Sequence, residues 1–466
     1  MNTGGLLALA GLNALFAAAG VGLITALRGF ASWRALGLLL GVAHMAGFAT
    51  VGLLSTELLV AGLGIGVGET VGVSLGILAA GLAVARLRGL PLPSLRARPS
   101  LDSSRLGLDA LGVVPAVLVV LLALVTLRVG FGQGLLEWDG WAFWVPKGAG
   151  IYYFGHLDKD LFVSTAAPSY PILVPTLDAL AFHFMGVVDA VTLHAQYAFL
   201  SCGFVFAAAG LLRPRVPRTV VWPFLGLPFL GADFRYFAVA PMADLTLDYL
   251  FALGFVCLAL WLVEREPAML LVGGVFFAAA LSTKREALLF VVAAVLAALV
   301  ATVREARRRW PPLIAVAVAA WALNLPWRFW WQSRGIADQS SPVSFSGLFA
   351  HADRIWPGIR IVLTLLFDEQ RWTIVAPLAL AALVLAFAAR RIGLATFFLV
   401  AMALCGAGLV WILWSITSLP LDTTDQTPLP RAVGSIVLAA TALTPLLLHQ
   451  AWCAARPRRR RPHGAV

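Results

Sequence analysis

The chain has 466 residues, 61% of them hydrophobic and only 12% charged, with a mean hydropathy of +0.90. A soluble domain carries roughly 25% charged residues, so this composition excludes a water-soluble globule. The formal charge is +11, but apart from Lys147, Lys159 and Lys284 its cations are arginines grouped in short joints between apolar runs, a pattern that sets membrane topology and argues against a nucleic-acid partner.

A bilayer crossing takes about 20 mostly apolar residues in a helix, or about ten of alternating polarity in a barrel strand. The runs here are continuous Leu, Ala, Val and Phe. The fold class is therefore all-α, a polytopic transmembrane bundle, because hydrocarbon tolerates only backbone that bonds within itself. In chain order, the first crossings are expected at 5–27, 35–55 and 60–85. No basic flank precedes the first run, and Arg28 follows it, so it reads as an uncleaved first helix. A basic joint at 91–105, containing Pro and Ser, divides an N-terminal three-helix segment (1–106) from the remainder (107–466). A fourth helix at 108–129 is followed by a polar, aromatic loop, 131–170, and a short apolar stretch, 171–186. Further crossings are expected near 188–211, 219–232, 243–263, 268–283, 286–303, 311–330, 373–390, 394–416 and 432–452, with a second loop at 331–372. That makes about thirteen.

The arginines of the alternate joints (Arg86 and Arg88, Arg213 to Arg218, Arg304 to Arg309, Arg390 and Arg391, and the tail from Arg456) place those joints in the cytoplasm, with the N-terminus outside and the C-terminus inside. The tail then anchors on anionic lipid. Cys202, Cys257, Cys405 and Cys453 lie in apolar runs without metal-ligand spacing and read as buried free thiols.

On this topology the opposite side collects the unusual polar residues. Asp139 stands among Trp138, Trp141 and Trp144, and Lys147 follows two helical turns on. Asp244 opens a crossing, with Asp248 one turn deeper. Lys284, Arg285 and Glu286 fill a tight joint, and Arg328 and Arg334 follow a Trp-rich helix end. Ionisable residues at membrane depth are functional candidates by default. Several have bland readings too: Asp244 as a helix N-terminal carboxylate, Lys284 and Arg285 snorkelling to headgroups, Arg431 and His156 in solvated loops, His183 and His194 as structural groups. A carboxylate held against the bilayer surface by indoles can take a proton from an acceptor hydroxyl. A transporter or lipid flippase is the alternative reading, kept open by Asp178 and Asp248.

The stretch Asp139–Gly140–Trp141, Trp144, Lys147 and then Tyr170–Pro171–Ile172–Leu173–Val174–Pro175 resembles the first outer loop of GT-C-type membrane glycosyltransferases, among them the dolichyl-phosphate-mannose-protein mannosyltransferase-like and aminoarabinose-transferase-like groups. Ala243–Asp244–Leu245–Thr246–Leu247, Ser282–Thr283–Lys284–Arg285–Glu286 and Pro326–Trp327–Arg328 resemble later motifs of that superfamily, in the same order. The resemblance covers about 108–335. Ala167–Pro168–Ser169 stands where such enzymes often carry His-Pro-Asp or His-Pro-Pro, so no ligand role for that His exists here.

The resemblance implies a polyprenyl-phosphate-linked sugar donor, an acceptor hydroxyl of unspecified identity and action outside a bacterial plasma membrane, with inversion. Asp139 and Asp244 are then the catalytic carboxylates. Lys147, Lys284, Arg285 and Arg328 hold the donor phosphate, and Trp138, Trp141, Trp144 and Tyr170 shape the substrate site. No motif requires a metal, and related enzymes differ in their use of one, so a divalent ion stays an open alternative.

Overall fold

The computed structural model describes residues 2–93, 135, 137–338, 351–416, 421 and 429–455, with scattered positions between 113 and 128. All its regular elements among these residues are helical. Eight helices are long and apolar enough to cross a bilayer, or nine if one bent pair counts as a span.

Three helices open the chain: α1 (Thr3–Arg28), α2 (Trp33–Val60) and α3 (Val67–Leu87). Asn2 and Ser32 cap the first two, their side-chain oxygens accepting from the Gly4 and Ala35 amides. The α1–α2 crossing is backbone against backbone. A Cβ on Gly20 would strike the Ala43 carbonyl, and one on Gly47 the Phe16 carbonyl. Lipid gives no hydrophobic drive for helix pairing, so such close approach is what holds it.

Next come α4 (Val145–Phe154), α5 (Lys159–Ser164), α6 (Leu173–Met185), α7 (Ala190–Leu212), α8 (Arg218–Gly226) and α9 (Ala232–Phe237). The leading helices are packed into this body, with α2 lying along α7. Asn13 of α1 donates to Gln196 of α7 at 2.8 Å, and His44 of α2 shares a 2.8 Å hydrogen bond with Asn13 Oδ1. Such a buried polar triad fixes which helix faces meet.

The second half contains α10 (Ala243–Glu264), α11 (Pro267–Leu281), α12 (Ala287–Ala301), α13 (Ala306–Ala322) and α14 (Leu325–Ser333). After residues 339–350 follow α15 (Ile355–Leu366), α16 (Glu369–Trp372), α17 (Val375–Ala388), α18 (Ile392–Ser415) and α19 (Leu429–Ala455). Central α10 packs against α11 and α19.

The expected crossings differ from these helices in particular places. The run 219–232 is broken into α8, a 3-10 turn at Leu227–Leu230 and α9. Pro223 inside α8 and Pro228 in the 3-10 turn lack amide donors, which weakens the helical ladder here, and α8 ends at Gly226. Helices α11 and α12 have 15 residues each, short for a crossing. The segment 352–372 meets α17 at 111°, turning at Thr373 with φ +56°. Most of the expected helix 108–129 lies outside the described residues. Cys453, expected to be buried, is exposed at the end of α19, because the apolar face of that helix points elsewhere.

The bundle has two chemically distinct ends. At one, the arginine joints hold each other's helices: Arg28 pairs with Glu266, Arg215 with Glu264 and Arg265 with Glu305, and Arg88 and Arg309 donate to the Ala26 and Leu262 carbonyls. The carboxylates singled out above gather at the opposite end of α10 and α19.

Candidate functional site

Four segments distant in sequence meet at that end. A π-helical stretch, Gly140–Trp144, begins after Asp139 and leads into α4. The start of α10 brings Asp244, the turn between α11 and α12 brings Lys284 to Glu286, and the first turn of α19 brings Arg431. Arg431 is the hub: its NH1 lies 2.7 Å from Asp139 Oδ2 and 3.6 Å from Asp244 Oδ2. Lys284 Nζ donates to Asp244 Oδ1 at 2.9 Å and stands 3.7 Å from Glu286.

Three carboxylates thus face two cations, a formal excess of one negative charge. Asp244 Oδ2, Glu286 Oε2 and Arg431 Nε are buried without a hydrogen-bond partner among the described residues. Buried polar groups are rarely left so, and these three retain hydrogen-bonding capacity for water or another polar group. Burial alone would lower the Lys284 pKa. Asp244 and Glu286 outweigh it and hold the ammonium protonated well above its ordinary range. Tyr170 is pushed up to about 12, chiefly by Glu286 and then by burial, so its phenol keeps its proton at neutral pH.

Neighbouring residues in one turn serve two places. While Lys284 turns to the carboxylates, Arg285 turns the other way, its guanidinium 5.3 Å from the Tyr170 ring centre. It donates to the Ser169 hydroxyl at 2.6 Å and pairs with Asp338. Beyond it lies a cavity of about 220 Å³ lined by Ser169, Arg285, Asn324, Trp327, Arg328 and Gln332, among others. The loop before α6 is pinned to this turn by the Leu173 amide, which donates to the Ser282 carbonyl at 3.0 Å. Asn324 donates to the Leu281 carbonyl and accepts from Arg328 Nε, which orients that guanidinium.

The expected site residues therefore divide. Asp139, Asp244 and Lys284 come together, with Lys284 engaged by carboxylates rather than facing an open anion site. Arg285 and Arg328 line the second cavity, with Tyr170 beside them. Trp138 and Trp141 are 56% and 52% exposed and pack edge to face. Two residues depart from expectation. Trp144 is fully buried, because the π-helical turn rotates it inward, so it supports the site without lining it. Lys147 is 1% exposed, its ammonium donating to the Ala167 carbonyl at 2.6 Å between the Phe143 and Phe162 rings. Its pKa falls to about 7, through burial first and then repulsion from Arg285. It braces the loop carrying Ala167, whose φ is +51°, and does not open onto either cavity.

Among residues given a minor part in the sequence reading, Arg431 and Glu286 are central, and Asp338 and Arg371 are added. Arg371 lines a small cavity of about 20 Å³ with Asp244, Asp248 and Arg431. Asp158 caps α5, accepting from the Leu161 amide, and His156 bonds to the Phe154 carbonyl, both local roles. Asp178 accepts from Tyr197, and Asp248 from Ser435. No group of three His, Cys, Asp or Glu suited to a metal ion occurs among the described residues.

Neither the family models, nor the curated proteins, nor the solved structures compared with this chain match it.

Proposed function

We propose that this chain is a membrane glycosyltransferase that moves a sugar from a polyprenyl-phosphate-linked donor to an acceptor hydroxyl at the extracytoplasmic face. The observation that carries this reading is the Asp139–Arg431–Asp244–Lys284–Glu286 chain of charges, with three polar atoms unbonded among the described residues, beside a separate, net cationic cavity bearing two guanidiniums and the Asp338 carboxylate that pairs with Arg285. The first is suited to a hydroxyl and the second to a phosphate. Arg offers phosphate a planar fork of donors, whereas the first cluster, with its excess negative charge, would repel it.

In the proposed step the acceptor oxygen attacks the anomeric carbon while Asp139 takes its proton. The bond from that carbon to the phosphate oxygen breaks, and the electron pair leaves with the phosphate, inverting the centre. A phosphate leaves without protonation, so one carboxylate base suffices, unlike the two of a glycosidase. Asp139 is the better base of the pair, since it is more exposed than Asp244, 13% against 7% for the side chains, and adjoins the exposed indoles. Asp244 is 6% exposed and holds both Lys284 and Arg431, a positioning role. Lipid-facing Leu288 and Trp321 flank the arginine cavity, which suits a donor whose prenyl tail stays in the bilayer. The about thirteen crossings, and the sidedness that puts the arginine joints in the cytoplasm, belong to the same proposal.

Purified protein in liposomes, supplied with a polyprenyl-phosphate sugar labelled in the sugar and with candidate hydroxyl acceptors, is expected to transfer the label with inversion. Accumulation of substrate or ions inside the liposomes without any transfer would replace this reading with a transporter.

A further inference from the structure

A large apolar cavity lies at the end of the bundle away from the carboxylates. About 1000 Å³ opens between α8, the end of α17 and the end of α19. Its walls include Val220, Phe224, Leu385 and Leu448, and its polar rim includes Arg390 and His449. The cavity exists because the chain around α8 is broken by proline. Pro217 precedes the helix, Pro223 lies inside it and Pro228 follows it, and at nine residues it is far shorter than the 27-residue α19 beside it.

The cavity is open on one side, with side chains such as Leu385 at 52% exposure, and apolar surface facing a bilayer is covered by acyl chains.

The rim says what kind of molecule. Arg390 is exposed, and no hydrogen bond or ion pair engages its guanidinium among the described residues. It occupies the position just past α17 with φ +56°, where glycine is favoured. Arg391 follows it, and Arg213, Arg215 and Arg218 precede or open α8 on the same end of the bundle. The tail of Arg431's helix reaches this level about 30 Å from the carboxylate cluster, at 1.5 Å per residue. A donor phosphate held at Arg285 and Arg328, at the carboxylate end of the bundle, cannot also sit here.

We propose that this cavity is a binding site for an anionic phospholipid, its acyl chains against Val220, Phe224, Leu385 and Leu448 and its phosphate at Arg390. The site is independent of the glycosyltransferase reading. The bound lipid fills the groove left by the short α8 beside the directly packed α17–α19 pair.

Native mass spectrometry of the full chain, released from micelles doped with equal phosphatidylglycerol and phosphatidylcholine, tests this. Wild type is expected to retain one phosphatidylglycerol in preference to phosphatidylcholine. Ala388→Trp, which puts an indole into the cavity from an exposed position of α17, should lower that occupancy at least tenfold. Arg390→Gln should lower the preference for the anionic lipid about fivefold, as expected for one cation near a headgroup, while apolar retention persists. Unchanged elution and melting of both variants would show that they fold. Equal retention of the two lipids by wild type, undiminished phosphatidylglycerol on Ala388→Trp, or a lipid-free wild type, whether monomer or dimer, would overturn the proposal.

Discussion

Replacing Lys284 by methionine tests the electrostatics of the site without assuming any reaction. At 2.9 Å and an effective dielectric near 20, the Lys284–Asp244 attraction is about 6 kcal/mol before desolvation. The Arg431–Asp244 attraction at 3.6 Å is about 5 kcal/mol on the same basis. Removing one partner of a buried pair costs about 3–5 kcal/mol net, but the two partners are not equivalent here. Without Lys284, three carboxylates face only Arg431, an excess of two negative charges. Without the Asp244 charge, two carboxylates face two cations, and Lys284 keeps Glu286 at 3.7 Å while Arg431 keeps Asp139. Lys284→Met should therefore cost about 3–5 kcal/mol, and Asp244→Asn about 1.5–3 kcal/mol, the worth of hydrogen bonds to charged groups. The double variant restores the original excess of one negative charge and should be more stable than Lys284→Met alone. Equilibrium unfolding in SDS-containing mixed micelles, followed by the fluorescence of the 16 tryptophans, measures all three. A double variant less stable than Lys284→Met, with the single effects adding, would refute the charge balance.

Further outcomes follow from individual contacts. Gly434→Ala should destabilise by about 1–3 kcal/mol, because its Cβ would strike Asp248 Oδ2; Asp248→Ser in the same chain should relieve part of the loss in the same unfolding assay. Lys147 has a folded-state pKa of about 7 against its ordinary 10.5, so between these values the unfolded chain binds the extra proton. Stability should accordingly rise with pH across that window, by at most about 1.4 kcal/mol per pH unit. Lys147→Met should flatten this slope. Asn13→Leu strands the polar groups of His44 and Gln196 and should lower stability by about 1–3 kcal/mol per orphaned group, read as early melting of the α1–α2–α7 contact by hydrogen exchange.

Membrane class and the rough positions of most helices follow directly from uninterrupted apolar runs, since a bilayer admits few alternatives. Asp139, Asp244 and Lys284 could be singled out because charge at a helix end in lipid is costly enough to be conspicuous. Direction was harder to read. Lys284 and Arg285 are adjacent, and their divergence to opposite sides of Tyr170 depends on the turn that joins α11 to α12. The resemblance places Lys147 at a phosphate and spacing puts it two turns from Asp139, but neither tells that α4 aims it inward onto the Ala167 carbonyl. Arg431 reads as a loop residue because it follows Asp422 and Asp425 just ahead of the expected crossing 432–452, whereas α19 starts at Leu429 with Pro430 in its first turn. Asp338 and Arg371 come from segments with no pattern of their own, and only tertiary packing brings them in.

The central claim is that Asp139 removes the acceptor proton while the donor phosphate rests at Arg285 and Arg328. Steady-state sugar transfer by Asp139→Asn and Arg328→Ala, with donor binding measured separately, tests it most directly. Asp139→Asn should lower kcat by about 10²–10⁴-fold with donor affinity nearly unchanged, and Arg328→Ala should weaken donor binding with a smaller effect on kcat. Wild-type turnover by Asp139→Asn, or donor affinity lost there and preserved in Arg328→Ala, would contradict it.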